Sequence, residues 1–188
     1  MRFHLFRPTR RRPIIAALYG TIVAQARLPV FYRFFGVPDT VRGRLEMIML
    51  HAVLLLRQLE QGALRDVGQV VFDRFCHDMD ESLREMGVGD LAVPKQMRGI
   101  GQAFYGRQAA YGAALAVSND ELLAAALDRN LFAEGSGEAG GRRLAIYVRE
   151  AVGQLADQDG FERGELTFPD PEVILRAQRS HGLEELQK

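Results

Sequence analysis

The chain has 188 residues, 47% apolar and 26% charged, the composition of a soluble globular protein with room for one sizeable core. Its single cysteine, Cys76, excludes an internal disulfide framework and a cysteine-based zinc site, and fits a reducing compartment. The net charge of zero hides an asymmetry: residues 1–44 hold nine arginines against one acid, Asp39, a balance of +8, and residues 45–188 carry −8.

The basic arm, residues 1–12, carries Arg2, Arg7, Arg10, Arg11 and Arg12. Such an arm suits an anionic surface such as RNA, a ribosome or lipid headgroups, or else folds back onto the acidic body. The longest strongly apolar run, Met47–Leu56, falls far short of the roughly 20 residues that span a bilayer. Ile14–Ile22 is apolar but lacks the small-residue cleavage site of a secretory signal.

Nearly every segment repeats at helical period and none alternates at period two, which predicts one all-α domain, a bundle of about six to eight helices without significant sheet. Pro13 suits the first turn of a helix running to about Ala26. The aromatic connector PVFYRFF follows, ending at Gly36. Asp39 or Thr40 can cap a long helix to about Gln61, and its middle, MIMLHAVLLL, is apolar all round, as a central buried helix must be. Helices are expected at Val70–Met86 and Pro94–Val117, and Ser118-Asn-Asp-Glu121 reads as a capping box opening another to about Glu134. Gly135–Gly141 reads as a flexible loop. Arg142–Gln158 reads as a helix with Leu144, Tyr147, Val148, Ala151 and Leu155 inward. FPDP at 168–171 precedes a short final helix. The expected division is an arm over 1–12, a helical domain over 13–180 and a loose tail over 181–188.

The stretch CHDMDESLREMGVGD, residues 76–90, imitates several sites. On a helical wheel Phe72, Phe75, Cys76, Met79, Leu83 and Met86 share a core face, which makes Cys76 a small hydrophobe. Asp78 and Asp80 point about 160° apart on a helix and cannot chelate one ion. An EF-hand counted from Asp78 would need Gly and Glu where Leu83 and Gly89 stand. Asp73, His77, Asp80 and Arg84 share a polar face, but Arg84 brings a positive charge to it, so an Asp80–Arg84 ion pair is expected and a metal is not. Gly87-Val-Gly89 follows a helix rather than a strand, which excludes a dinucleotide fingerprint. Gly87 instead ends the helix in a left-handed conformation, with Val88 and Leu91 tucking back and Asp90 with Pro94 starting the next helix.

In that next helix Met97, Ile100, Phe104, Gln108, Tyr111 and Leu115 form a core stripe, with Gln108 needing a hydrogen-bond partner. Gly99, Gly101, Gly106 and Gly112 each cost about 1 kcal/mol relative to alanine there. Close approach of another backbone would offset that, from a partner or from inside the domain. Gly101 and Gly112 form a shallow flank beside Arg98 and Tyr105.

The run DMDESLREMGVGDLAVPKQMRGIGQAFYGR, residues 78–107, closely resembles the signature of the ubiquinol–cytochrome c chaperone family. YGTIVAQAR (19–27), FGVPDTVRGRLEMIMLH (35–51) and the helix with YVRE (147–150) fit the same family, so the resemblance covers about residues 14–155. It implies an all-α assembly factor that is not an enzyme. The implied task is to bind newly synthesised cytochrome b and stabilise it for assembly of the cytochrome bc1 complex. The chain looks like the shorter bacterial type, which implies a cytoplasmic protein, peripheral at the inner membrane, with no cofactor and no DNA partner. On this reading the corner and the next helix's flank hold the client: Asp78, Asp80, Arg84, Glu85, Gly87, Val88, Gly89 and Asp90 on one side, Lys95, Arg98, Gly101, Tyr105 and Arg107 on the other. Two rival functions remain. One is a ribosome or RNA adaptor acting through the arm. The other is a helical carrier for lipid, quinone or haem, with His51 as the tempting ligand, although a histidine on an apolar helix is more often a satisfied core residue.

Overall fold

The computed structural model describes residues 8–61, 64–132 and 139–185, with the side chains of 8–11, 61, 139 and 179–185 outside the description. Eight α-helices, one 3-10 turn and no strand occupy the described residues. They are α1 Pro8–Ala26, α2 Pro29–Arg33, α3 Val41–Gln61, α4 Arg65–Glu85, α5 Val93–Leu115, α6 Asp120–Leu131, α7 Ala139–Ala156 and α8 Pro171–Glu185, with the turn at Gly160–Arg163. The all-α expectation holds.

The bundle is organised around α3. Every residue from Glu46 to Leu56 is buried, because a helix apolar all round has no face to give to water. Helices α1, α4, α5, α6 and α7 all pack against it, α6 packs on α7, and α8 closes over α2 and α7. The inward set Leu144, Tyr147, Val148, Ala151 and Leu155 is buried as the wheel requires.

Several boundaries differ from expectation for identifiable reasons. Helix α1 starts at Pro8, so Pro13 lies inside it and residues 8–12 of the basic arm are helical. The connector forms the short helix α2, and Gly36 closes it at φ 84°. Thr40 caps α3, its Oγ1 accepting from the Gly43 N–H at 3.0 Å, while Asp39 is drawn to Arg44 at 2.7 Å. Asn119 rather than Ser118 caps α6, its side chain accepting from the Glu121 N–H at 2.9 Å; the Glu121 carboxylate pairs with Arg142. Helix α4 begins at Arg65, earlier than expected. The expected loop Gly135–Gly141 is cut short because α7 begins at Ala139; residues 133–138 lie outside the description. Gly140 and Gly141 let α7 approach α6, since a Cβ at Gly140 would stand 2.6 Å from the Phe132 ring. The expected tail from His181 overlaps α8, which runs to Glu185; residues 186–188 lie outside the description.

By length and composition Arg12–Arg33 could cross a membrane, which the apolar run lengths alone did not flag. Yet Leu18, Ile22 and Ala26 on its inner face are fully buried in the core.

Candidate functional site

The corner between α4 and α5 is built as the glycine pattern suggests. Gly87 has φ 84°, its N–H donates to the Arg84 carbonyl at 2.9 Å, and the Val88 N–H donates to the Leu83 carbonyl at 3.0 Å. Those two bonds form a Schellman cap. The Gly89 carbonyl then accepts from Ala92 and Val93, starting α5. Asp90 does not cap α5, because Arg84 holds its carboxylate and Asp80 together. Leu91 does not tuck back either: it is 98% exposed.

On α4 the imitations dissolve. Asp78 turns toward α1, accepting from the Tyr19 hydroxyl at 2.9 Å and from Arg74 at 3.2 Å, whereas Asp80 pairs with Arg84 at 2.7 Å. Asp73 accepts from Gln69, and His77 sits 3.4 Å from Glu81. Among the described residues no three His, Cys, Asp or Glu side chains are grouped to hold a metal. Cys76 is half-buried against the core, and that burial raises its thiol pKa. Met86 leaves the expected core face, being the C-terminal cap of α4 and 56% exposed.

The set expected on α5 divides between two flanks. Tyr105, 59% exposed, lies against Phe72 and Phe104, and its depression also includes Gln69 and Gln108. Gln108 finds its partner in Glu60 at 3.1 Å. Lys95 and Arg98 are exposed, as is Glu85 across the corner. Arg107 is not on this side. Its guanidinium grips Glu46 with two bonds of 2.9 and 2.6 Å and also donates to the Ala103 carbonyl. Residues two apart on a helix face opposite ways, so the rule that separates Asp78 from Asp80 also separates Tyr105 from Arg107.

Arg107 and Glu46 instead stand in a groove of about 610 Å³ between α3, α4 and α5. Its walls are mainly apolar, with Leu45 and Met49 from α3, Met79, Leu83 and Met86 from α4, and Ile100 and Ala103 from α5; Arg42 and Gln96 also line it. Val41, 69% exposed, marks its α3 end. Gly99 lines it with bare backbone, and a Cβ there would meet nothing within 4 Å. Gly101, Gly106 and Gly112 likewise face open space, which overturns close packing inside the domain as their explanation. Sequence reasoning missed this groove, although Gly99, Ala103 and Arg107 at i, i+4 and i+8 form a column that the wheel could have shown.

His51 is a core residue. It is fully buried, with Nδ1 donating to the Met47 carbonyl and Nε2 accepting from the Tyr147 hydroxyl, both at 2.8 Å. The Tyr147 oxygen in turn accepts from Gln25, which also donates to the Pro169 carbonyl. Burial pushes the His51 pKa down to about 4. With both ring nitrogens engaged, it offers a haem or metal nothing. Of the anionic-contact residues, Arg12 is exposed and lines a depression between α1 and α4 with Asp73, Arg74 and His77. Arg2, Arg7 and the side chains of Arg10 and Arg11 lie outside the description.

The family model described as "Ubiquinol-cytochrome C chaperone" matches residues 33–168, well over half the chain. The chain belongs to the ubiquinol–cytochrome c chaperone family. The crystal structure of the Cbp3 homolog from Brucella abortus is similar at 38% identity and a TM-score of 0.80, covering 87% of this chain and 93% of that one. No curated protein matches. The matched family segment takes in the α4–α5 corner and every wall of the groove.

Proposed function

We propose that this family member binds newly synthesised cytochrome b and stabilises it for assembly of the ubiquinol–cytochrome c reductase complex. It acts by holding its client without turnover. The observation that carries this reading is the open groove between α3, α4 and α5, with mainly apolar walls, methionines on two sides and bare backbone at Gly99. A membrane protein awaiting assembly presents apolar helices, and a groove of this kind accepts an apolar helix face without demanding one sequence. The charged cluster Asp80, Arg84 and Asp90 beside the groove's Met86 end gives polar client loops a margin, which sets orientation more than affinity. The flank with Arg98, Gly101 and Tyr105 is a second contact on the same helix.

The test is recovery of cytochrome b from membranes by the tagged chain. Gly99→Leu, which fills the groove, should lower recovery at least tenfold while circular dichroism stays unchanged. Arg98→Ala with Tyr105→Ala reports on the other flank. Photo-crosslinkers at Met86 and Gly99 that reach only ribosomal proteins would overturn the reading in favour of a ribosome adaptor.

A further inference from the structure

The outward face of α1 is anomalous for a helix on a protein surface. Between Arg12 and Arg27 it carries no charged side chain. Its two strongly polar residues are both used internally: Thr21 bonds back to the Ala17 carbonyl, and Gln25 is held by Tyr147 and Pro169. What faces outward is Pro13, Ala16, Ala17, Gly20 and Ala24, all exposed. A surface helix ordinarily turns charged residues to water along its outer face. Here about 22 Å of helix, at 1.5 Å per residue, presents hydrocarbon and backbone alone.

Charge identifies what should cover it. Residues 1–38 hold seven arginines and no acid. Arg12 stands at one end of the bare face and Arg27 just past the other, both exposed; Arg33, also exposed, ends α2. Carboxylates around α1 are already engaged: Asp78 by Arg74 and Tyr19, Asp39 by Arg44, and Glu165, beside the turn that packs on α1 at Ala17, by Arg163. Asp73 shares the Arg12 depression and accepts from Gln69.

We infer that α1 lies in the plane of an anionic lipid bilayer, its outward face on the headgroup boundary and its terminal arginines among the phosphates. It does not insert across the bilayer, because Leu18, Ile22 and Ala26 are core. Alanines and a glycine bury little area, so the attachment is weak, reversible and salt-sensitive. It would leave the groove free to receive a client at the membrane.

Flotation of the full-length chain with vesicles tests this. It should float with phosphatidylcholine containing phosphatidylglycerol, stay down with phosphatidylcholine alone, and release as salt rises. Gly20→Glu with Ala24→Glu places two carboxylates on exposed positions where Gly20 has open space. It should cut the bound fraction on the order of tenfold with the melting temperature unchanged. Arg27→Gln with Arg33→Gln should lower binding in the same direction. Equal binding by the Gly20→Glu, Ala24→Glu variant, with loss only when Arg2 and Arg7 are neutralised, would overturn the proposal by assigning the contact to the arm. Absence of flotation together with protein crosslinks from position 24 would overturn it in favour of a protein partner. The vesicles hold no cytochrome b, so neither result bears on the client reading.

Discussion

Helices α3 and α5 are nearly equal in length, 21 and 23 residues, and sit against one another, yet they serve opposite ends. Helix α3 is buried without interruption from Glu46 to Leu56 and carries two buried polar side chains, Glu46 and His51. Both are fully partnered. Helix α5 buries a narrow stripe and spends four positions on glycines where an added Cβ would meet nothing within 4 Å. A helix interior rarely accepts about 1 kcal/mol per glycine without a return. The lesson is a division of labour: α3 holds the fold together, and α5 keeps its outer surface available.

Four experiments probe that division, and the largest effect belongs to the core. Tyr147→Ala removes a fully buried ring and the hydroxyl that holds both His51 and Gln25. It should cost about 4 kcal/mol or more, measured by urea denaturation. A small effect would mean that the aromatic cluster around α3 is not the keystone.

Next comes the pair at the groove wall. Arg107→Met leaves the Glu46 carboxylate, 5% exposed, without its partner and should cost about 3 kcal/mol. Adding Glu46→Gln should restore much of the loss, as a double-mutant cycle would read.

The third experiment is pH. The folded pKa of His51, about 4, lies below the ordinary 6.5, so protons bind the unfolded chain first. Its contribution is therefore intact above about pH 6.5, falls as the pH drops toward 4, and is flat below that. Between pH 7 and pH 5 stability should drop by about 2 kcal/mol from this group, and His51→Gln should flatten that slope in urea midpoints.

The smallest effect has the opposite sign. Gly106→Ala and Gly112→Ala enter open space and should each stabilise the chain by up to about 1 kcal/mol in thermal melts. Destabilisation would show that α5 is packed after all and would erase its contrast with α3.

Periodicity carried much of this architecture. The buried run of α3, the inward residues of α7 and the left-handed Gly87 all follow from side-chain geometry within one helix. The Asp80–Arg84 pair was visible for the same reason, being four residues apart. What failed involved choices between local partners: Asn119 over Ser118, and Asp90 taken by Arg84 rather than α5; at α3, where Asp39 and Thr40 both stood as candidates, the fold takes Thr40. Propensity rates both candidates in each case alike, and only the path of the chain selects one.

The candidate site was legible in half. The corner stood out in the sequence, but the groove needs Met49, Met86 and Gly99 from three helices that nothing local brings together. Arg107 was assigned to the wrong flank although its spacing of two from Tyr105 already sets it on the opposite face; what only the fold supplied was its partner there, Glu46, 61 residues away. The residues alone set which positions are apolar, where helices break and that the N-terminal segment is basic, since those depend on neighbours within about a turn. Which faces stay open, α5 at its glycines and α1 along its outer edge, was decided by packing, because a face is exposed only when no distant helix covers it.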